Sequence, residues 1–162
     1  MNQIKKVAQD PNTTKILQNF LAILYLNSTF SQTAHWTAKG STSYSDHLLY
    51  ERLYKENSEE LDHFAEQFIP LGGEQIINPL ALLQNASNKI QTMLQFNEEP
   101  TPHELANAAL ICETTLLKSL KSLYKTLKDS KDLSMGSDDL LMGMYQQHES
   151  HIYLIKQRLK SE

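Results

Sequence analysis

The sequence predicts an all-α fold made of two helical hairpins joined by one long crossover, and three observations predict it. Leu, Ala, Lys, Glu and Gln, all good helix formers, dominate a chain of 162 residues with only five Gly and five Pro. Apolar residues recur at helical spacing between recognisable start and stop signals. The outer two of the three connections are short, and the middle one is long. The length suggests one domain over residues 1–162, with 1–10 a short N-terminal tail.

The first helix begins at Asp10-Pro11, a polar cap followed by Pro in the first turn, and ends at Lys39-Gly40. Ile16, Leu17, Phe20, Leu24 and Ala34 give it an apolar stripe. The second begins near Ser43, which stands at capping-box spacing from Asp46, and ends at Leu71-Gly72-Gly73. Leu49, Leu53, Leu61, Phe64 and Phe68 form its apolar face, and the run from Lys55 to Glu60 is polar throughout. Such a run predicts a helix that is not embedded on all sides in its own bundle. The third helix has the clearest start, Thr101-Pro102-His103-Glu104, and runs to about Lys128. The fourth is expected from Ser137, with Asp138 and Asp139 at the positive end of its dipole.

Short links make antiparallel neighbours, whereas the stretch from Gly72 to Pro100 is too long for a bare loop. It carries its own short helix signal, Asn78-Pro79 followed by Leu80, Leu82 and Leu83. Two hairpins and one such crossover make a ferritin-like four-helix bundle, with the short helix in the crossover between the second and third helices.

Composition excludes several functions. A net charge of −4 argues against nonspecific nucleic-acid binding, and Lys5 and Lys6 are too few for a basic arm. The single Cys112 rules out an intrachain disulfide and a thiolate zinc cluster. Any metal site therefore uses His and carboxylates. No stretch is apolar enough to span a membrane, and the opening residues lack a signal-peptide core. The expectation is a cytoplasmic protein.

His47 with Glu51, and Asp62 with Glu66, are pairs spaced i, i+4, each on one helix face. Glu51 and Asp62 lie 11 residues apart, about 16 Å along one helix. First-row metals sit about 2.0–2.2 Å from their ligands, so a straight helix cannot bring both pairs to one ion. Two copies antiparallel across a two-fold axis can, making two identical sites. His35, at the end of the first helix, is placed to join them. This donor set suits iron, zinc or manganese; the alternative is ordinary surface pairing.

Glu60 and His63 form a Glu-x-x-His sequence, but the first helix from Thr13 to Lys39 holds no acidic residue. A complete di-iron site within one chain is therefore not expected, and Glu60 and His63 read as surface residues. His148 and His151 likewise read as surface or interface groups. Trp36, Met135, Met142, Met144 and Cys112 read as packing residues.

The chain resembles the Dps mini-ferritins, named for DNA protection during starvation. His35-Trp36-Thr37-Ala38-Lys39-Gly40 looks like that family's His-Trp-x-x-x-Gly signature, with His47 at the family's spacing. Leu53-Tyr54 through Glu60-Leu61-Asp62, Ala65-Glu66 and Leu71-Gly72-Gly73 continue the match, and Asp139 to Ile155 looks like the last helix. The resemblance implies a hollow dodecamer that oxidises ferrous iron, preferentially with hydrogen peroxide, and stores ferric oxide. It implies a ferroxidase site of His35, His47 and Glu51 from one chain and Asp62 and Glu66 from its two-fold mate. It also implies acidic pores, for which Asp129, Asp132, Asp138 and Asp139 lie in the corresponding region. Glu51 replaces the family's more usual Asp, Gln67 a frequent Arg, and Tyr153 a common Trp; none of these removes a ligand. A shell that binds DNA or another macromolecule with little oxidase activity is the competing reading.

Overall fold

The computed structural model describes residues 10–94 and 99–160. Apart from Asp10, the N-terminal tail with Lys5 and Lys6 lies outside the described residues. The chain runs through α1 (Pro11–Thr37), α2 (Ser43–Gly72), a 3₁₀ turn (Glu74–Ile77), α3 (Pro79–Met93), α4 (Pro102–Asp129) and α5 (Met135–Leu159), with no strand among the described residues. α1 packs on α2 and α4, and α5 packs on α4 and α2, which closes a four-helix bundle. α3 is the crossover helix and lies against α1.

Local chemistry sets most boundaries. Asp10 caps α1 by accepting from the backbone N–H groups of Asn12 and Thr13, and Pro11 follows where no N–H is needed. Thr101 and Glu104 form a reciprocal capping box at the start of α4. Gly73 closes α2 at φ 77°, a conformation open to glycine without strain.

Three details differ from the sequence expectation. α2 does not use Ser43 in a capping box. Thr42 precedes the helix, and Asp46 is buried, accepting from the Thr42 hydroxyl and from Arg158. α5 starts at Met135 because Ser134, not a residue near Ser137, accepts the Ser137 backbone N–H. The crossover helix is 15 residues long, more than one short turn.

The core is divided. One apolar cluster centres on Leu17, Phe20, Phe64, Phe68, Leu120 and Leu141; the other centres on Phe30, Tyr50, Leu53, Leu105, Cys112 and Ile155. Between them all four bundle helices turn polar side chains inward. Asn27 of α1, Asn57 and Glu60 of α2, Glu113 of α4, and His148 and His151 of α5 are all buried. They keep the same register as the apolar positions: Leu141, Met144, His148, His151, Ile155 and Arg158 are successive buried positions of α5. The polar run Lys55–Glu60 is therefore partly internal, because Asn57 and Glu60 face the bundle while Ser58 and Glu59 face solvent. The expectation that Glu60, His148 and His151 lie on the surface is overturned by this register.

The packing roles also divide. Met144 and Cys112 are buried, and burial pushes the Cys112 thiol far up, as an inert apolar group. Trp36, Met135 and Met142 are exposed, so they do not pack the subunit core.

Candidate metal centres

The first candidate centre lies at the α1–α2 corner. The buried guanidinium of Arg158, near the end of α5, donates to both carboxylate oxygens of Asp46, through Nε at 2.5 Å and an Nη at 3.1 Å. That clamp ties the start of α2 to the end of α5, and at the adjoining corner His47 stands against His35. Their rings stack with centroids 3.7 Å apart. His35 Nδ1 lies 3.0 Å from the His47 carbonyl oxygen, and His47 Nδ1 lies 3.1 Å from the His35 carbonyl oxygen. A carbonyl only accepts, so each Nδ1 carries the proton and donates. Both Nε2 atoms then keep their lone pairs, as a metal ligand requires.

Glu51 follows one turn after His47. Its carboxyl is held below the usual range, first by the hydrogen bond from Lys55 at 2.6 Å, then by the charge of Lys55. Tyr54 meets the His35 ring edge-on. The structure thus gathers three of the five expected ligands, His35, His47 and Glu51, at one half-exposed corner. Asp62 and Glu66 lie on the exposed face of the same helix, 11 residues beyond Glu51 in the case of Asp62. They do not group with the histidine corner inside one chain. Among the described residues, the one set of His, Cys, Asp or Glu whose ligand atoms lie within 4.8 Å of one another is Glu113, His148 and His151.

That set is the second candidate centre, in the polar layer of the bundle. His148 bridges two carboxyl groups, with Nδ1 2.6 Å from Glu113 Oε2 and Nε2 2.7 Å from Glu60 Oε2. His151 does the same, with Nε2 2.5 Å from Glu56 and Nδ1 3.3 Å from the same Glu113 Oε2. Asn57 donates to the other Glu113 oxygen at 3.3 Å. Burial disfavours the charged forms, but pairing outweighs it. Burial pushes the Glu113 carboxyl up, and the His148 charge and hydrogen bond, joined by His151, bring it down well below the usual range. Burial pushes His148 down, and Glu113 and Glu60 raise it to about 10; His151 is also raised, by Glu113 and Glu56. Without metal, His148 is therefore an imidazolium cation at neutral pH, and the same pairing favours the charged form of His151.

Sequence reasoning found the exposed corner and missed the buried layer. The available signal was register: His148 and His151 continue the apolar spacing of α5 without a break. Glu60 and His63, although spaced like a ligand motif, diverge, with Glu60 buried and His63 exposed.

Known proteins share this architecture. The fold matches that of Dps from Thermosynechococcus elongatus, with a TM-score of 0.78 at 20% identity over 91% of this chain and 90% of that one. A Dps variant from Listeria innocua gives 0.79 at 20% identity over 99% and 96%. A Vibrio cholerae Dps, described as a member of a broad superfamily of ferritin-like diiron-carboxylate proteins, gives 0.77 at 15% identity over 98% and 99%. In sequence, the chain is 24% identical over 127 residues to "DNA protection during starvation protein 2" of Bacillus anthracis, covering 75% of this chain and 79% of the relative. It is 24% identical over 159 residues to the Listeria innocua protein of similar name, covering 93% and 94%. No family model matches the chain. The fold is that of a ferritin-like four-helix bundle. In both fold and sequence the chain is similar to Dps mini-ferritins.

Proposed function

We propose that this chain is the subunit of a hollow dodecameric shell that oxidises ferrous iron at sites shared across two-fold interfaces and stores the ferric product. The observation that carries the reading is the His35–His47 pair. Its reciprocal Nδ1–H bonds to backbone carbonyls fix both tautomers and leave both Nε2 atoms for an ion. Glu51 supplies the adjoining carboxylate, and Asp62 and Glu66 of the two-fold mate complete the set. Iron is the substrate. Each of two ferrous ions gives one electron to one hydrogen peroxide, which takes up two protons and leaves as two waters. Carboxylate ligands favour the ferric product and so assist electron loss. Zinc or manganese fits the same donors and would compete without undergoing this oxidation. Consuming peroxide with iron in this way limits radical damage in the cytoplasm.

Exposed Trp36, Tyr44 and Leu48 surround the histidine corner. Large apolar groups in such a patch suit a subunit contact. DNA binding is not part of the proposal, since a net charge of −4 offers phosphates little attraction. No helix among the described residues is long and apolar enough to cross a membrane. The test is stopped-flow oxidation of ferrous iron by peroxide, comparing wild type with Asp62→Ala and Glu66→Ala. Both substitutions slow oxidation if the assignment holds; unchanged rates would sink it.

A further inference from the structure

We propose that each subunit holds a second metal site inside its own bundle, in which Glu113, His148 and His151 bind one divalent first-row transition ion while Glu60 and Glu56 accept from the outer nitrogens of the two rings. This site shares no residue with the interface site and does not depend on it.

Four observations carry the inference. First, five ionisable side chains converge in one layer between two apolar halves of the core, with both histidines at 0% exposure. A core layer of this kind is costly unless its groups are fully satisfied. Second, it is not fully satisfied. Glu60 Oε1 and Asn57 Oδ1 are buried acceptor atoms without a hydrogen-bond partner, and Asn27 Oδ1 is a third in the same layer. Each is an oxygen lacking a positive partner in this layer.

Third, the donors are already close. Glu113 Oε2 is 2.6 Å from His148 Nδ1 and 3.3 Å from His151 Nδ1, and a ligand atom from each of these residues lies within 4.8 Å of the others. Ligands around a first-row ion at about 2.0–2.2 Å lie roughly 3–3.5 Å apart, so shifts of about 1 Å accommodate it. Fourth, the outer ring nitrogens are already engaged: Nε2 of His148 faces Glu60 at 2.7 Å and Nε2 of His151 faces Glu56, so both Nδ1 atoms are turned toward Glu113.

The donor count argues for one ion rather than two. α1 contributes Asn27 here and no carboxylate, and Glu60 and His63 point apart, so a dinuclear set of four carboxylates and two histidines is not assembled. Two imidazole nitrogens and one carboxylate suit zinc or ferrous iron. Glu56, 29% exposed at its side chain and also accepting from Arg52 at 3.0 Å, joins the buried donors to the surface and marks the way in.

The test uses the full chain carrying His35→Ala, His47→Ala, Glu51→Ala, Asp62→Ala and Glu66→Ala, which removes the interface donors and leaves the bundle layer intact. After chelation, Zn²⁺ is titrated calorimetrically and the bound ion is examined by X-ray absorption. One Zn²⁺ per subunit with two imidazole ligands is expected, whether or not the shell assembles, because all three donors lie in one chain. No tight Zn²⁺, or Zn²⁺ bound with fewer than two imidazoles, overturns the proposal. Adding His151→Gln is expected to weaken binding at least tenfold; undiminished affinity in a folded variant also overturns it. If that variant fails to fold, the first titration alone decides. Failure of the interface reading appears separately, as undiminished peroxide-driven oxidation in Asp62→Ala.

Discussion

Replacing Arg158 by Leu removes the clamp that ties the start of α2 to the end of α5, and the cost follows from what remains. Asp46 is 1% exposed and would keep one hydrogen bond, from the Thr42 hydroxyl at 2.8 Å, in place of the two charged donors it has now. Breaking a buried ion pair by removing one partner costs about 3–5 kcal/mol. Asp46 stands in the first turn of α2, where the helix dipole favours an anion, so the lower end, about 3 kcal/mol, is expected. For a domain of this size each kcal/mol moves the melting temperature by about 2–4 °C, giving a drop of roughly 6–12 °C. Thermal unfolding of chelated protein by circular dichroism, at fixed protein concentration and assembly state, reads this directly. Asp46→Asn combined with Arg158→Leu removes the stranded charge and recovers much of the loss. A drop under about 2 °C in the single variant, or a double variant no better than the single, would refute the reasoning.

Phe64→Ala opens a cavity where Phe64 meets Phe20 at 4.8 Å and Phe68 at 4.4 Å between ring centroids; about 3–5 kcal/mol should be lost, and a loss under 1 kcal/mol by urea unfolding would contradict the packing. Gly72→Ala places a Cβ 2.6 Å from Ile76 Cγ2 and 2.8 Å from Leu17 Cδ1. Overpacking there costs about 1–3 kcal/mol; an unchanged melting temperature would show that this contact relaxes freely. Asp10 is held below its ordinary 3.8 by the hydroxyl and backbone N–H of Thr13 and the backbone N–H of Asn12. Its folded value is the lower one, so its cap is fully present above pH 3.8 and is lost as pH falls through the lowered value. The Thr13 amide resonance should follow that titration, and a midpoint above 3.8 would contradict it.

Much of the fold is legible in the sequence because helix ends are local events. Asp10-Pro11 and Thr101-Pro102-His103-Glu104 satisfy their own backbone N–H groups within a few residues, so no distant contact is needed to read them. Ser134 and Ser137 show the limit. Both are cap-forming residues, and the choice of Ser134 puts the start of α5 at Met135. The partner of Asp46 was equally out of reach, since Arg158 lies 112 residues away. At the candidate sites, helical spacing finds the pairs His47–Glu51 and Asp62–Glu66. It does not show that His35 and His47 lock each other's tautomers, which requires two helices to meet. The buried layer runs against the rule that charged groups lie outside. His148 and His151 fit the core register of α5, but only the facing Glu60 and Glu113 explain how two imidazoles are accommodated there. The lack of acidic residues in α1 bears on a set of four inward carboxylates, yet it says nothing against one ion held by α4 and α5.

Sharing across the two-fold axis is the central claim, and subunit complementation tests it most directly. His47→Ala and Asp62→Ala chains are each expected to lose peroxide-driven iron oxidation. In a mixed two-fold pair, one site loses both contributions and the other regains all five ligands. Co-refolding equal amounts should therefore restore about one quarter of the wild-type sites. Recovery near that level, measured by stopped flow against each variant refolded alone, is the predicted result. A mixture no more active than the separate variants would contradict a shared site.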